Sequence, residues 1–340
     1  MRKLVFLVLI ALFAVLAGWV AQRPVFHYLS DLRSSLAVDL ATTPAAASTG
    51  NLLGIEPELF ALDYGNPERL RLKLDAYLDN ARRLGLLGAH TVVVLPEHLG
   101  TPLALMGEKP EVYAALRTED AFHWLVLGNP LRFARAWFQA EGDQRLADSL
   151  LRMKAWDMAS AYQQLFAGLA RRYQVTLVAG SIVLPGPTLE DGELKVGDGP
   201  LRNVTLVFGP QGQPLGAPLV RPLPGQADGD DLSPPLLRLD TALGRLGVIQ
   251  GSDTARPGVL DDPQVELLAI PALASGATPA PAPFDAQRLR AAGVRAALEV
   301  QLRGRLWEWR ADGTSQGFTP DAAAATDPAR GGAKLINLRL

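Results

Sequence analysis

No cysteine occurs anywhere in the 340 residues, and that absence removes disulfides, thiolate-bound metals and every reaction that needs a sulfur nucleophile. Histidine is almost as sparse. His27, His90, His98 and His123 stand in no HExxH-type spacing, so neither a histidine-built metal site nor any other cofactor is expected. A net charge of -2, with no dense Lys/Arg stripe, argues against a nucleic-acid partner. The chain also lacks an internal repeat, a P-loop, a GxSxG elbow and a GxGxxG following a strand.

What is present begins with an apolar segment. Met1-Arg2-Lys3 precedes an uncharged run from Leu4 to Ala21, closed by Gln22-Arg23-Pro24, and a run of that length can just cross a bilayer as a helix. Val15-Leu16-Ala17 also offers a signal-cleavage site, but the apolar stretch continues through Trp19 and Val20, which favours an uncleaved anchor. Residues 1–23 are therefore expected to be a membrane anchor or signal segment. Arg2 and Lys3 favour a cytoplasmic N-terminus, which places the rest of the chain outside the cytoplasmic membrane, in the periplasm of a Gram-negative cell, or free after cleavage. The polar stretch 24–50 is expected to be a linker, and 51–340 the main domain.

Within that domain, Asn66-Pro67-Glu68 opens an amphipathic stretch, Arg69 to Leu84, that Gly85 ends, which predicts a helix. Thr91 to Leu95 is short, β-branched and bounded by His90 and Pro96, as a buried strand reads. Glu111 to Tyr173 reads as a broken helical region. Further buried strands are expected at Val175–Ala179, Asn203–Phe208, Leu246–Gln250 and Val265–Ile270. A Pro/Ala-rich loop, 272–283, then leads into a helix expected over Asp285–Gln301 and a terminal strand pair, Arg305–Arg310 with Lys334–Leu340. Apolar strands alternating with helices imply a mixed α/β protein with covered sheet faces.

Several strings, in order, resemble the nitrilase superfamily of carbon–nitrogen hydrolases over almost all of Leu52 to Leu340. They are the strand ending in Pro96-Glu97, the helix leading to Val178-Ala-Gly-Ser181, the strand and turn from Arg202-Asn203 to Gly212, and Leu246 to Asp253 with the strand after it. Arg295-Ala-Ala-Leu-Glu299 and Gly313-Thr-Ser315 are similar to the family's late Arg-Ala-x-Glu helix and Gly-x-Ser turn. The resemblance implies a four-layer α-β-β-α sandwich, here preceded by one N-terminal transmembrane or signal helix, and a chemistry of Glu base, Lys oxyanion donor and Cys nucleophile.

Laid on this chain, the family pattern puts Glu97 at the base, Val220 or Arg221 at the lysine, and Gly251 at the cysteine. The resemblance further implies a pocket with His98, Asn203 and Asp253. Ser252 is a substitute nucleophile, but a serine needs a positioned base, and only His98 is near in sequence. The chain is also longer than the family usually is between residues 100 and 155. That insertion interleaves Phe122, Trp124, Phe133, Trp137, Phe138 and Trp156 with Arg132, Arg135 and Arg145, a composition suited to packing on its own domain or to meeting a bilayer or partner.

The expectation is a membrane-tethered carbon–nitrogen hydrolase-like pseudoenzyme that binds a small amide-like ligand or a protein partner. Two alternatives stay open: an active hydrolase on amides or nitriles with non-standard residues, and a structural homo-oligomer.

Overall fold

The computed structural model describes residues 2–22, 28–41, 50–140, 142, 144–226, 229, 232–254, 256, 258–274 and 286–340. The stretches 42–49 and 275–285, including most of the expected Pro/Ala-rich loop, lie outside the described residues.

Two sheets form the centre. The first has seven strands in the order β1 (Ser34–Ala41), β18 (Ala333–Arg339), β2 (Asn51–Glu56), β4 (Thr91–Val94), β5 (Thr176–Pro185), β8 (Leu201–Phe208) and β9 (Leu219–Pro222). The second has six, in the order β10 (Leu237–Thr241), β11 (Gly244–Val248), β12 (Leu267–Ala272), β13 (Ala296–Gln301), β16 (Gln316–Phe318) and β17 (Ala323–Ala325). Small outlying pairs are β6 (Thr188–Glu190) with β7 (Glu193–Lys195), and β14 (Arg303–Leu306) between β15 (Trp309–Asp312) and β3 (Glu58–Phe60).

Three apolar layers follow from side-chain alternation along these strands. Val92, Val94, Val178 and Val207 of the first sheet meet Val248, Ala269, Leu298 and Val300 of the second. Val93, Leu177, Val204 and Leu206 turn the other way, onto α2 (Pro67–Arg83) and α6 (Arg145–Tyr173). The outer face of the second sheet buries Leu268, Ile270 and Phe318 against Val259 and against Leu289 of the six-residue α7 (Ala286–Ala291). The order is helix, sheet, sheet, helix, and among the described residues the last layer consists of the short α7 and 3-10 turns.

Local signals account for several elements. The Asn66 side chain accepts from Arg69 N at 2.8 Å and caps α2, Pro67 fills its first turn, and Gly85 follows it at φ 71°. All four residues of β4 are buried, as a β-branched strand with both faces covered requires.

Elsewhere the expectations change. The stretch read as a linker contains β1, which runs parallel to the C-terminal β18 and so belongs to the main sheet. The helix expected over 285–301 is only α7; Ala296–Gln301 is instead the fully buried strand β13, between β12 and β16. Alanine and leucine favour a helix locally, but a central sheet position overrides that weak preference. Arg305–Arg310 and Lys334–Leu340 do not pair: β14 and β15 form their own hairpin, and β18 pairs with β1 and β2.

Residues 100–155, expected to be an insertion, include α3 (Pro110–Ala114), α4 (Thr118–Gly128), α5 (Pro130–Gln139) and the start of α6. At the N-terminus, Arg2–Ala21 form one continuous helix, α1, with Val5 58% and Phe13 72% exposed. Among the described residues no helix is long and apolar enough to cross a membrane. Side chains at 2, 4, 16, 20 and 21 of α1 fall outside the description, so the membrane-spanning helix expected there is not shown.

Candidate active site

Glu97 lies just beyond β4, where a bulge in β5 makes room for the chain to turn. Gly180 has φ 75°, and a Cβ there would stand 2.1 Å from the Pro96 carbonyl oxygen, so only glycine allows this approach. Tyr162 donates to the Gly180 carbonyl at 3.1 Å and pins the bulge to α6. Next to it, the Ser181 hydroxyl accepts from His98 N at 2.8 Å, which helps hold His98 in its left-handed conformation at φ 56°. Glu97 N donates across the sandwich to the Ala272 carbonyl at 3.3 Å. The acid is thus held between the two sheets.

Five of the residues expected in the site do converge there: Glu97, His98, Asn203, Arg221 and Asp253. Asn203 Nδ2 donates to Glu97 Oε1 at 2.7 Å, and His98 Nε2 stands 3.9 Å from the same oxygen. Register pairs Asn203 with Arg221 on β9. Val220 points the other way, into the core under α6, so of the two candidate positions it is Arg221 that faces the site. Its guanidinium is already engaged, however. Arg221 Nε and Nη2 donate to the two carboxylate oxygens of Asp253 at 2.6 and 3.2 Å, and Nη1 donates to the Ser233 carbonyl at 2.7 Å. Arg256 Nε adds a further bond to Asp253 at 2.5 Å.

Gln250 and Ala272, which sequence reasoning missed, occupy the remaining space. Gln250 is fully buried, accepts from Asn203 Nδ2 at 3.1 Å, and donates to Thr205 Oγ1 at 3.2 Å and the Asn203 carbonyl at 3.3 Å. A polar residue closing an otherwise apolar strand was the only available signal. Ala272 packs against Gly251: a Cβ built on Gly251 would lie 2.8 Å from the Ala272 Cβ. Ser252, the substitute nucleophile, is exposed and makes no hydrogen bond to Glu97 or His98 among the described residues.

The electrostatics follow from burial. Glu97 is pushed up to about 8, first by desolvation, with the Asn203 hydrogen bond opposing and the Asp253 charge adding to the rise. At neutral pH it is therefore mostly a neutral acid. Burial pulls His98 down to about 4, although its side chain keeps 25% exposure and solvent there resists the shift. Asn203 Oδ1 is buried with no hydrogen-bond partner among the described residues. No cluster of His, Asp or Glu among the described residues can hold a metal. Two surface cavities, of about 590 and about 400 Å³, lie against α6 and are not lined by Glu97.

This architecture is similar to solved amidase structures. A Cys-to-Ser mutant of the Nesterenkonia AN1 amidase from the nitrilase superfamily aligns with 14% identity over 86% of this chain and 93% of that one, at a TM-score of 0.53. An amidase from Nesterenkonia sp. aligns with 13% identity over 86% and 91%, at 0.52. A Cys-to-Ala mutant of the Nesterenkonia AN1 amidase, in complex with butyramide, gives 14%, 86%, 92% and 0.52. The chain has the carbon–nitrogen hydrolase fold of these nitrilase-superfamily amidases. No family model and no curated sequence relative matches it.

Proposed function

We propose that this chain is a membrane-tethered, carbon–nitrogen hydrolase-like protein without amidase or nitrilase turnover, which serves as a ligand- or partner-binding module. The observation that carries this reading is Gly251 with Ala272 packed against it, in a chain that has no cysteine. Covalent catalysis splits one hard step into two easier ones, and without a nucleophile that route is closed. Arg221 supports it as well: its guanidinium is neutralised by Asp253 rather than free to meet an oxyanion.

The tether reading is supported by α1, whose exposed side chains from Val5 to Val15 are apolar and need cover. It is supported also by Lys109, which donates to the carbonyl oxygens of Trp19 and Gln22 and so fixes the end of α1 to the domain. Arg2 and Lys3 then favour a cytoplasmic N-terminus and an extracytoplasmic domain. The candidate partners are the bilayer, a small amide-like ligand or a protein, and a second copy of the chain.

A second reading, an active hydrolase with rearranged chemistry, is favoured by one observation: Glu97, with its pKa near 8, lies beside Asn203, whose Oδ1 is buried with no hydrogen-bond partner among the described residues. One assay separates the two. Full-length protein in detergent is incubated with a panel of aliphatic and aromatic amides and nitriles, and ammonia release is compared with that of Glu97→Gln. No release above the variant is expected; release from any member that disappears in Glu97→Gln would overturn the non-catalytic reading.

A further inference from the structure

Helix α5 is apolar on two sides, and among the described residues only one of them is covered. Phe133 and Ala136 turn inward, Phe133 onto the core beneath α6 and Ala136 to 3% exposure. Opposite them, Leu131, Ala134 and Phe138 follow an i, i+3, i+7 spacing that places them on one outer face. Leu131 is 86% and Phe138 84% exposed, and Leu127, in the last turn of α4, extends the strip at 52%. Arg135 and then Arg132 border it along one side; Arg132 pairs with Asp157, whereas Arg135 makes no ion pair among the described residues.

What covers this face is indicated by where α1 joins the domain. The ammonium of Lys109 lies 4.6 Å from the ring centroid of Trp19 as well as capping α1, and Trp19 packs on Trp124 of α4 at 6.3 Å between ring centroids. The adjacent Glu108 accepts from Asn129 Nδ2 at 3.0 Å, and Asn129 is the residue that joins α4 to α5. Two neighbouring side chains thus connect the end of the apolar α1 to the start of α5, and a bilayer entered by α1 meets α5 at its surface.

We infer that α5 lies in the headgroup boundary of a bilayer, with Leu131 and Phe138 among the acyl chains and Arg132 and Arg135 at phosphate level. This rests on the tether proposed above. The geometry is that of an interfacial amphipathic helix, apolar side down and basic residues at the rim.

The absence of cysteine makes a clean test available. Single-cysteine variants of the full chain at Leu131→Cys, Phe138→Cys, Val8→Cys on α1 and the exposed Gln264→Cys beyond the second sheet each carry one environment-sensitive fluorophore. Each is reconstituted into phosphatidylcholine/phosphatidylglycerol vesicles whose acyl chains bear a doxyl quencher. The labels at 131 and 138 are expected to shift their emission to the blue and to be quenched by the acyl-chain doxyl groups, as a helix sunk into the acyl boundary requires, while the label at 264 does neither. Quenching at position 8 without quenching at 131 and 138 overturns the inference and leaves the tether standing. Loss of quenching at all three overturns both. A blue shift at 131 and 138 without lipid quenching also overturns it, and assigns the face to a protein contact.

Discussion

Gly251 and Ala272 are packed so closely that a Cβ on the glycine would fall 2.8 Å from the alanine Cβ and 3.1 Å from its Cα. The strand β12 has therefore closed over the place where the family resemblance puts a nucleophile. Restoring a thiol means making room for it.

Gly251→Cys alone is expected to destabilise the fold by about 1–3 kcal/mol through overpacking. Ala272→Gly alone should cost about 0.5–1 kcal/mol, as glycine in a strand does. Urea unfolding of the two single variants and the double variant should show coupling, the pair costing less than the sum; simple additivity would mean the two residues do not compete for one space.

Arg221 and Asp253 form a buried pair, with side chains 4% and 5% exposed. Arg221→Met should cost up to about 3–5 kcal/mol in urea unfolding, the upper end being lowered because Arg256 stays with Asp253. Replacing both partners, as Arg221→Met with Asp253→Asn, should cost less than Arg221→Met alone. The opposite ranking would show that the carboxylate is not left stranded by the single change.

The pH dependence has a definite sign. Glu97 has a folded pKa raised to about 8, so between about 4.5 and 8 the folded state holds a proton that the unfolded state has released, and stability falls as pH rises through that window. Glu299, raised to about 7 by burial, acts in the same direction. His98, lowered to about 4, acts oppositely between about 4 and 6.5, where the unfolded state binds the extra proton. Below pH 6.5 His98 offsets only one of the two glutamates, so stability still falls as pH rises, and Glu97 dominates above 7. Glu97→Gln should therefore gain stability relative to the parent between pH 6.5 and 9, on the scale of about 1.4 kcal/mol per pKa unit, measured by denaturant midpoints at the two pH values. An unchanged difference between the two proteins would show that Glu97 is ionised in the fold near neutral pH.

Lys109 holds α1 through two carbonyl oxygens and the Trp19 ring. Lys109→Met should speed amide hydrogen exchange in the last turns of α1 by about tenfold, matching about 1.4 kcal/mol, while leaving exchange in β5 and β8 unchanged. Equal effects in both regions would mean that Lys109 supports the whole domain.

Much of the fold is legible locally. The cap at Asn66-Pro67, the β-branched run Thr91–Val94 and the Pro96-Glu97 turn each carry their own short-range cause. What escaped is non-local. Strand β1 pairs with residues some 300 positions away in sequence, from Ser34 with Ala333 to Ala41 with Arg339, and nothing in its polar surroundings announces the partner. β13 is written in helix-favouring alanine and leucine, and only its place between β12 and β16 makes it a strand. At the site, Glu97, Asn203, Arg221 and Asp253 were marked by sequence and do gather, but the choice of Arg221 over Val220 needed the register of β9 on β8.

Composition by itself settled one matter that no folding could alter: a chain without cysteine has no thiolate to offer, wherever Gly251 comes to lie. Tertiary structure alone decided how the vacated place is used. The two sheets pack face to face, so residues from β8, β9, β12 and the end of β11 meet in a space whose contents depend on the register of every strand. That is why Gln250 bonds to Asn203, Arg221 turns to Asp253, and Ala272 rests against Gly251.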